Sequence, residues 1–278
     1  MLEAGKTKTF LLSLGAQKAG TSWLHDQLNR RKDTDFGFLK EYHILDALSL
    51  TSFQKFRSRR PFPWKWRTWN RYRFLEKPDR YFNYFSKILS RSDIKLTGDI
   101  TPSYSCLKKE TLIWTRDQFL KRGITTKAVF IMRDPVERIL SQQRMKLRKS
   151  NSLNPEHELD QLRKLASKIL EKPSKRSDYL STLKNIKVAF DQKDLFIDLY
   201  EKLFTETTFQ ALCSHLHLDY IARNWGVRVN ESNSTTTIPD EILKAIGESQ
   251  RTTFLTISRE HPELNIQQHW PTASKWCT

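Results

Sequence analysis

Lys8-Thr9-Phe10-Leu11-Leu12-Ser13-Leu14 runs directly into Gly15-Ala16-Gln17-Lys18-Ala19-Gly20-Thr21-Ser22, and then into Trp23-Leu24-His25-Asp26-Gln27-Leu28-Asn29. A short apolar run ahead of a glycine loop reads as a buried strand. Beyond Gly20, the segment Thr21 to Asn29 carries Trp23, Leu24 and Leu28 at helical spacing. The unit is strand, loop, helix. Glycines let the backbone approach an anion closely, and exposed N–H groups at a helix start bind phosphate oxygens. The outline is that of a Walker A loop, G-x-x-x-x-G-K-S/T, but the lysine is displaced. Lys18 lies inside the loop, and Thr21 stands where the Walker lysine belongs. By itself the stretch reads as a phosphate loop or as a glycine turn joining strand to helix.

Further apolar runs repeat the pattern. Ala128-Val129-Phe130-Ile131-Met132 has the continuous character of a buried parallel strand, and Leu195-Phe196-Ile197-Asp198-Leu199-Tyr200 is another candidate. After the first of these, Asp134-Pro135 supplies a helix cap and a proline at the first helical position. Helices are expected over 156–172, over Tyr179 to Phe190, and after the last strand through Leu218, while 226–238 reads as a loop. Strands alternating with helices predict an α/β fold with a central, mostly parallel sheet flanked by helices. No repeat or low-complexity linker divides residues 1–278, so one domain is expected. Within it, 52–92 is basic, aromatic and proline-interrupted, and reads as an insertion over the site.

At 278 residues, with 38% hydrophobic and 28% charged residues, the chain is long enough for a substantial core and is not disordered in composition. No stretch approaches the ~20 apolar residues of a membrane span, and Phe10 to Leu14 is too short for a signal peptide. A native start at Met1 places the protein in the cytosol; a trimmed start leaves room for a lost anchor and a lumenal site. Cys106, Cys213 and Cys277 have neither disulfide nor zinc spacing and read as free thiols. The net charge of +17 calls for an anionic partner, such as a nucleotide, an acidic glycan, nucleic acid or a membrane surface.

Two motifs in order narrow that choice. Gln17-Lys18-Ala19-Gly20-Thr21-Ser22-Trp23-Leu24 resembles the 5′-phosphosulfate loop of sulfotransferases that use 3′-phosphoadenosine-5′-phosphosulfate (PAPS). Met132-Arg133-Asp134-Pro135-Val136-Glu137-Arg138-Ile139-Leu140-Ser141 resembles that family's 3′-phosphate motif, R-D-P-x-x-R-x-x-S. The resemblance implies a P-loop-like sulfotransferase fold in which Gln17 to Trp23 hold the 5′-phosphosulfate, with Lys18 at its bridging oxygen. It implies Arg133 and Ser141 on the 3′-phosphate, and Arg138 nearby or bracing the structure. A guanidinium at a strand end suits phosphate through directional, charged hydrogen bonds.

On the acceptor side, Lys40-Glu41-Tyr42-His43-Ile44-Leu45-Asp46 resembles K-E-x-H-x-x-D of heparan sulfate sulfotransferases and related glycan enzymes. Carried over, Glu41 is the base, Lys40 contacts the acceptor region, and His43 and Asp46 orient Glu41 or the acceptor. A solvated Lys40–Glu41 pair is the plainer reading of those residues. Thr97-Gly98-Asp99-Ile100-Thr101-Pro102-Ser103-Tyr104 resembles another family segment, with Ile100 in place of the usual lysine. There Tyr104 is expected in the acceptor cleft or in the core. Gln268 to Trp276 is a candidate for the segment that closes over adenine.

Between Arg57 and Arg73, Phe62, Trp64, Trp66, Trp69 and Tyr72 alternate with Arg59, Arg60, Lys65, Arg67 and Arg71, without an acidic residue. An acidic glycan, single-stranded nucleic acid and a membrane interface all suit this chemistry, as does packing of the rings on the protein body. The resemblance implies transfer of a sulfuryl group from PAPS to a carbohydrate hydroxyl, without a required metal, with a small hydroxylated or amino metabolite as the second acceptor class. Its rivals are a P-loop kinase or NTPase, which needs ATP and magnesium, and a nucleic-acid binder using residues 57–73, the less expected partner.

Overall fold

The computed structural model describes residues 8–57, 60–171, 174–222 and 236–276. Three strands form on apolar runs buried within the fold, β1 (Thr9–Ser13), β3 (Thr125–Met132) and β4 (Leu195–Leu199), and a fourth, β2 (Leu96–Asp99), is buried though its sequence is Leu-Thr-Gly-Asp. They make one all-parallel sheet in the order β2-β1-β3-β4. Leu12 of β1 lies opposite both Asp99 and Ala128, which brings the β1 and β2 carboxyl ends level, while β3 runs on to Met132 opposite Leu199. The chain steps from β1 to one side and then returns across it to β3. In open α/β sheets that reversal leaves a crevice at the carboxyl ends of the strands.

Helix α1 (Thr21–Asn29) follows β1, as its spacing predicts. Next come α2 (Leu45–Ser49), a 3-10 turn at Thr51–Phe56, α3 (Trp66–Glu76) and α4 (Asp79–Leu89). Part of the stretch 52–92 belongs to the core. Tyr81, Phe82 and Phe85 of α4 are fully buried, and Phe10 of β1 packs edge-on to Tyr81 and Phe85. Phe119 of α5 (Lys109–Leu120) stacks on the same Phe10 with centroids 3.9 Å apart. The second half of the basic aromatic stretch is therefore a wall of the core.

Between β3 and β4 run α6 (Pro135–Lys149), α7 (Pro155–Ile169) and α8 (Tyr179–Ala189). Asp134 caps α6 as expected, its Oδ1 accepting from Val136 N at 3.0 Å, and Pro135 occupies the first turn. After β4 come α9 (Tyr200–Leu203) and α10 (Glu206–His215), and, beyond the stretch 223–235 that lies outside the described residues, α11 (Asp240–Glu248), α12 (Arg251–Glu260), α13 (Ile266–His269) and α14 (Pro271–Trp276). Most of the loop expected at 226–238 falls in that stretch. Cys213 is buried in the core, Cys106 Sγ lies 3.7 Å from Lys175 O, and Cys277 lies outside the described residues. Among the described residues no helix is long and apolar enough to cross a membrane.

The tail corrects another expectation. Gln268 to Trp276 forms helical turns, not a closing loop, and Trp270 and Ala273 pack into the body. Trp270 is fully buried, its Nε1 donates to Glu201 at 3.1 Å, and Thr272 Oγ1 donates to Asp134 at 2.6 Å.

Candidate active site

The turn from β1 into α1 is held on the end of β3. Ala16 N donates to Ile131 O at 2.7 Å, and Ile131 N donates to Gly15 O at 2.9 Å. Gly15 and Gly20 both have positive φ, at 97° and 76°. A Cβ at Gly15 would lie 2.6 Å from Pro102 O, and one at Gly20 2.7 Å from Leu203 Cδ2. Each glycine thus answers both to backbone conformation and to space. Gly20 is the α1 N-cap and has no side-chain oxygen to offer. Among the described residues the N–H groups of Gly20, Thr21 and Ser22 donate to no protein group, which leaves a helix start open to an anion. Gln17 contributes a buried Oε1 without a hydrogen-bond partner.

Cations gather on this turn. Arg133, directly after β3, donates from Nη1 to Lys18 O at 3.1 Å and lies over the Tyr200 ring at 4.7 Å. Its Nη2 is 3.4 Å from Glu137. Burial lowers the Lys18 pKa, and the charges of Arg148, Arg133, Lys40 and Lys149 lower it further. Like charges brought together on an open helix start are the arrangement expected of a polyanion site, because the ligand removes the repulsion that the empty protein carries. The donor set suits a phosphate-bearing anion.

Ser141, expected beside Arg133, lies further along α6, buried and not hydrogen-bonded to Arg133 among the described residues. Arg138 is a brace. It is fully buried, and it donates to Ser177 Oγ at 2.8 Å, Gln142 Oε1 at 2.8 Å and Ser174 Oγ at 3.3 Å. Asp134 is also committed to structure: it is fully buried between the α6 start and Thr272. That leaves no free strand-end carboxylate of the Walker B kind at this position.

Lys40 joins the phosphate turn to the acceptor side. Its Nζ is 2.9 Å from Ser22 Oγ, 3.4 Å from Thr21 Oγ1 and 3.0 Å from Glu41 Oε1. From there a line of groups continues: Glu41 Oε2 is 3.4 Å from His43 Nε2, and His43 Nδ1 is 2.7 Å from Asp46 Oδ2. Exposure falls along the line, from 37% for the Glu41 side chain to 14% for His43 and 0% for Asp46. Burial pushes Glu41 up, but the His43 hydrogen bond and the Lys40 charge outweigh it and hold the carboxyl at about 2. Burial pushes His43 down, but Asp46 and Glu41 outweigh it and raise the imidazole to about 9. The resting state is an ion triad with a carboxylate at its open end. His43 is further fixed by stacking on Phe56, with centroids 3.9 Å apart and planes 10° apart.

The segment alternates. Glu41 and His43 are partly exposed, while Tyr42 and Ile44 are fully buried. Tyr42 donates its hydroxyl to Phe36 O at 2.9 Å, and its N–H lies 3.4 Å from Asp99 Oδ1. Tyr104 corrects its place in the cleft: it is fully buried, donates to Asp99 Oδ2 at 2.7 Å and accepts from Ile44 N at 3.2 Å. It supports the segment from beneath.

Two acidic residues to which the sequence reading gave no role are Asp99, inside the 97–104 segment, and Glu201, each at or just past a strand end. Asp99 accepts from Tyr81, Tyr104 and Thr101 and is raised by burial, against those hydrogen bonds, to about 6. Glu201 accepts from Asp134 N and Trp270 Nε1, and burial raises it to about 7.

No family model matches the sequence, and no curated protein matches it. Among solved structures, the chain is similar to the crystal structure of a sulfotransferase from Alicyclobacillus acidocaldarius, at 17% identity and a TM-score of 0.56, covering 93% of this chain and 96% of that one. It also matches the sulfotransferase domain of the Synechococcus PCC 7002 olefin synthase at 12% identity and a TM-score of 0.48, covering 88% of this chain and 96% of that one. A third match, at 12% identity and a TM-score of 0.45, is a sulfotransferase domain from the curacin biosynthetic pathway, covering 78% of this chain and 76% of that one. The first of these likenesses shows that the chain has the α/β fold of a sulfotransferase.

Proposed function

We propose that the protein transfers a sulfuryl group from PAPS to an acceptor hydroxyl, on a carbohydrate in the first instance. The observation that carries this reading is Lys40, whose Nζ meets both Ser22 of the open helix start and the Glu41 carboxylate. It couples an anion site to an ionised carboxylate across one side chain. The sulfotransferase motifs at 17–24 and 133–141 support PAPS as the anion, and the displaced lysine argues against ATP.

PAPS supplies an activated sulfuryl group on a nucleotide leaving group. Gly20, Thr21 and Ser22 offer amides to its 5′ end, and Arg133, with Ser141 beyond it, is assigned to the 3′-phosphate. Lys18 offsets the negative charge that grows on the departing bridging oxygen. Glu41 takes the acceptor's hydroxyl proton as the new oxygen–sulfur bond forms and the old one breaks. A carboxylate at about 2 is a weak base, yet a loose transition state leaves the hydroxyl little changed until late, when its bonded oxygen has become strongly acidic. His43 and Asp46 hold Glu41 ionised and oriented.

Thermal stabilisation by adenosine 3′,5′-bisphosphate, compared with ATP and ADP, tests the donor. The bisphosphate should stabilise preferentially; equal or better stabilisation by ATP with magnesium would replace this reading with a P-loop kinase. Labelled donor offered with oligosaccharides and with small hydroxylated or amino metabolites separates the acceptor classes.

A further inference from the structure

We propose that the turn carrying Phe62, Trp64 and Trp66 docks the protein on an anionic lipid bilayer. Ordinary packing leaves this turn unexplained. Phe62 is 60% exposed, Trp64 74% and Trp66 52%, and the next most exposed aromatic among the described residues, Trp114, is at 37%. Pro61 and Pro63 flank Phe62, and Lys65 N donates to Phe62 O at 3.0 Å, so the turn is stiff. Phe62 and Trp64 stack on each other with centroids 4.5 Å apart, while Trp66 sits against Phe38 at 5.1 Å. The base of the turn is anchored to the body and its apex is not.

Exposed cations surround it. Lys55, Arg57, Arg60, Lys65 and Arg67 are all exposed, and none has a carboxylate partner among the described residues. From Ala47 to Leu75 the sequence has no acidic residue at all. A polyanionic chain would use the cations, and would use the rings only where their faces stand open. Sugars and bases stack on open ring faces beside amides and carboxylates. Here Phe62 and Trp64 cover one face of each other, and the Asn70 amide is turned back to Trp66 O at 3.0 Å. A bilayer interface satisfies both features at once, with aromatic rings at headgroup depth and Lys/Arg against anionic lipid. The surface adjoins the acceptor side of the candidate site, because Arg71 and Lys55 lie over Phe56, which stacks on His43.

Co-sedimentation of the full chain with vesicles of phosphatidylcholine, alone or mixed with phosphatidylglycerol, tests this without using enzyme activity. Binding is expected to the mixed vesicles and to weaken with salt. The double variant Phe62→Ala/Trp64→Ala should lower vesicle affinity by roughly tenfold or more with an unchanged melting temperature, because Phe62 and Trp64 are mostly exposed. Lys65→Glu/Arg67→Glu should remove the preference for anionic lipid. Absence of binding to either vesicle, or equal vesicle affinity in the aromatic double variant, overturns the proposal. Binding of a sulfated polysaccharide or an oligonucleotide that depends on Phe62 and Trp64, without vesicle binding, overturns it in favour of that partner.

Discussion

Replacing His43 by Asn tests the ion triad directly. His43 has a left-handed backbone, φ 53°, which Asn also tolerates, so the change acts chiefly on charge and stacking. The imidazole is raised from 6.5 to about 9, in a side chain only 14% exposed. Each unit is worth ~1.4 kcal/mol, so the charged form contributes about 3 kcal/mol to folding. Loss of the Phe56 stack adds about 1 kcal/mol. A folded pKa raised above its unfolded value gives stability that is complete below 6.5 and is lost as pH rises through about 9. The expected penalty of His43→Asn is therefore about 4 kcal/mol near neutrality, falling to about 1–2 kcal/mol at roughly pH 10, where only the stack and a neutral hydrogen bond are missing. Urea unfolding of both proteins at the two pH values measures the difference, and titrating groups away from His43 cancel between them. A penalty that stays constant within about 0.5 kcal/mol would refute an ionic origin.

Glu41→Gln should keep adenosine 3′,5′-bisphosphate binding yet lose turnover by roughly 10²–10⁴-fold, measured with labelled donor; full activity would remove Glu41 from the proton transfer. Gly20→Ala should destabilise by about 1–3 kcal/mol, read as a lower melting temperature, since its φ is 76° and the added Cβ would meet Leu203 Cδ2 at 2.7 Å.

The parts legible in the sequence were those with local causes. The β1–turn–α1 unit declares itself within 22 residues, and Asp134-Pro135 caps its helix through bonds two and three residues away. Lys40 to Asp46 was visible as a pattern, and its side chains do form a connected line. What escaped depends on distant partners. Asp99 gathers Tyr81, Tyr104 and Tyr42, the last 57 residues away, and Glu201 meets Trp270 across 69 residues. Helix α4 was hidden for a different reason. Its buried aromatic face follows a basic, proline-broken stretch, so composition masked periodicity. Gln268 to Trp276 has the residue types of a nucleotide-covering segment, but Trp270 packs inward and bonds Glu201.

The alternation at Glu41-Tyr42-His43-Ile44 separates two kinds of constraint within four residues. Tyr42 and Ile44 hold the segment to the Asp99–Tyr104 hub, while Glu41 and His43 meet the opening. Chemistry at Glu41, the more open of the two, can thus be exchanged in the manner of a tool clamped in a fixed holder, whereas His43 belongs to the clamp as well through Asp46 and Phe56. Inserting a single residue there does the opposite. It would pull Tyr42 off Phe36 O or His43 off Asp46, so that the anchor and the charged pair could no longer both keep their partners.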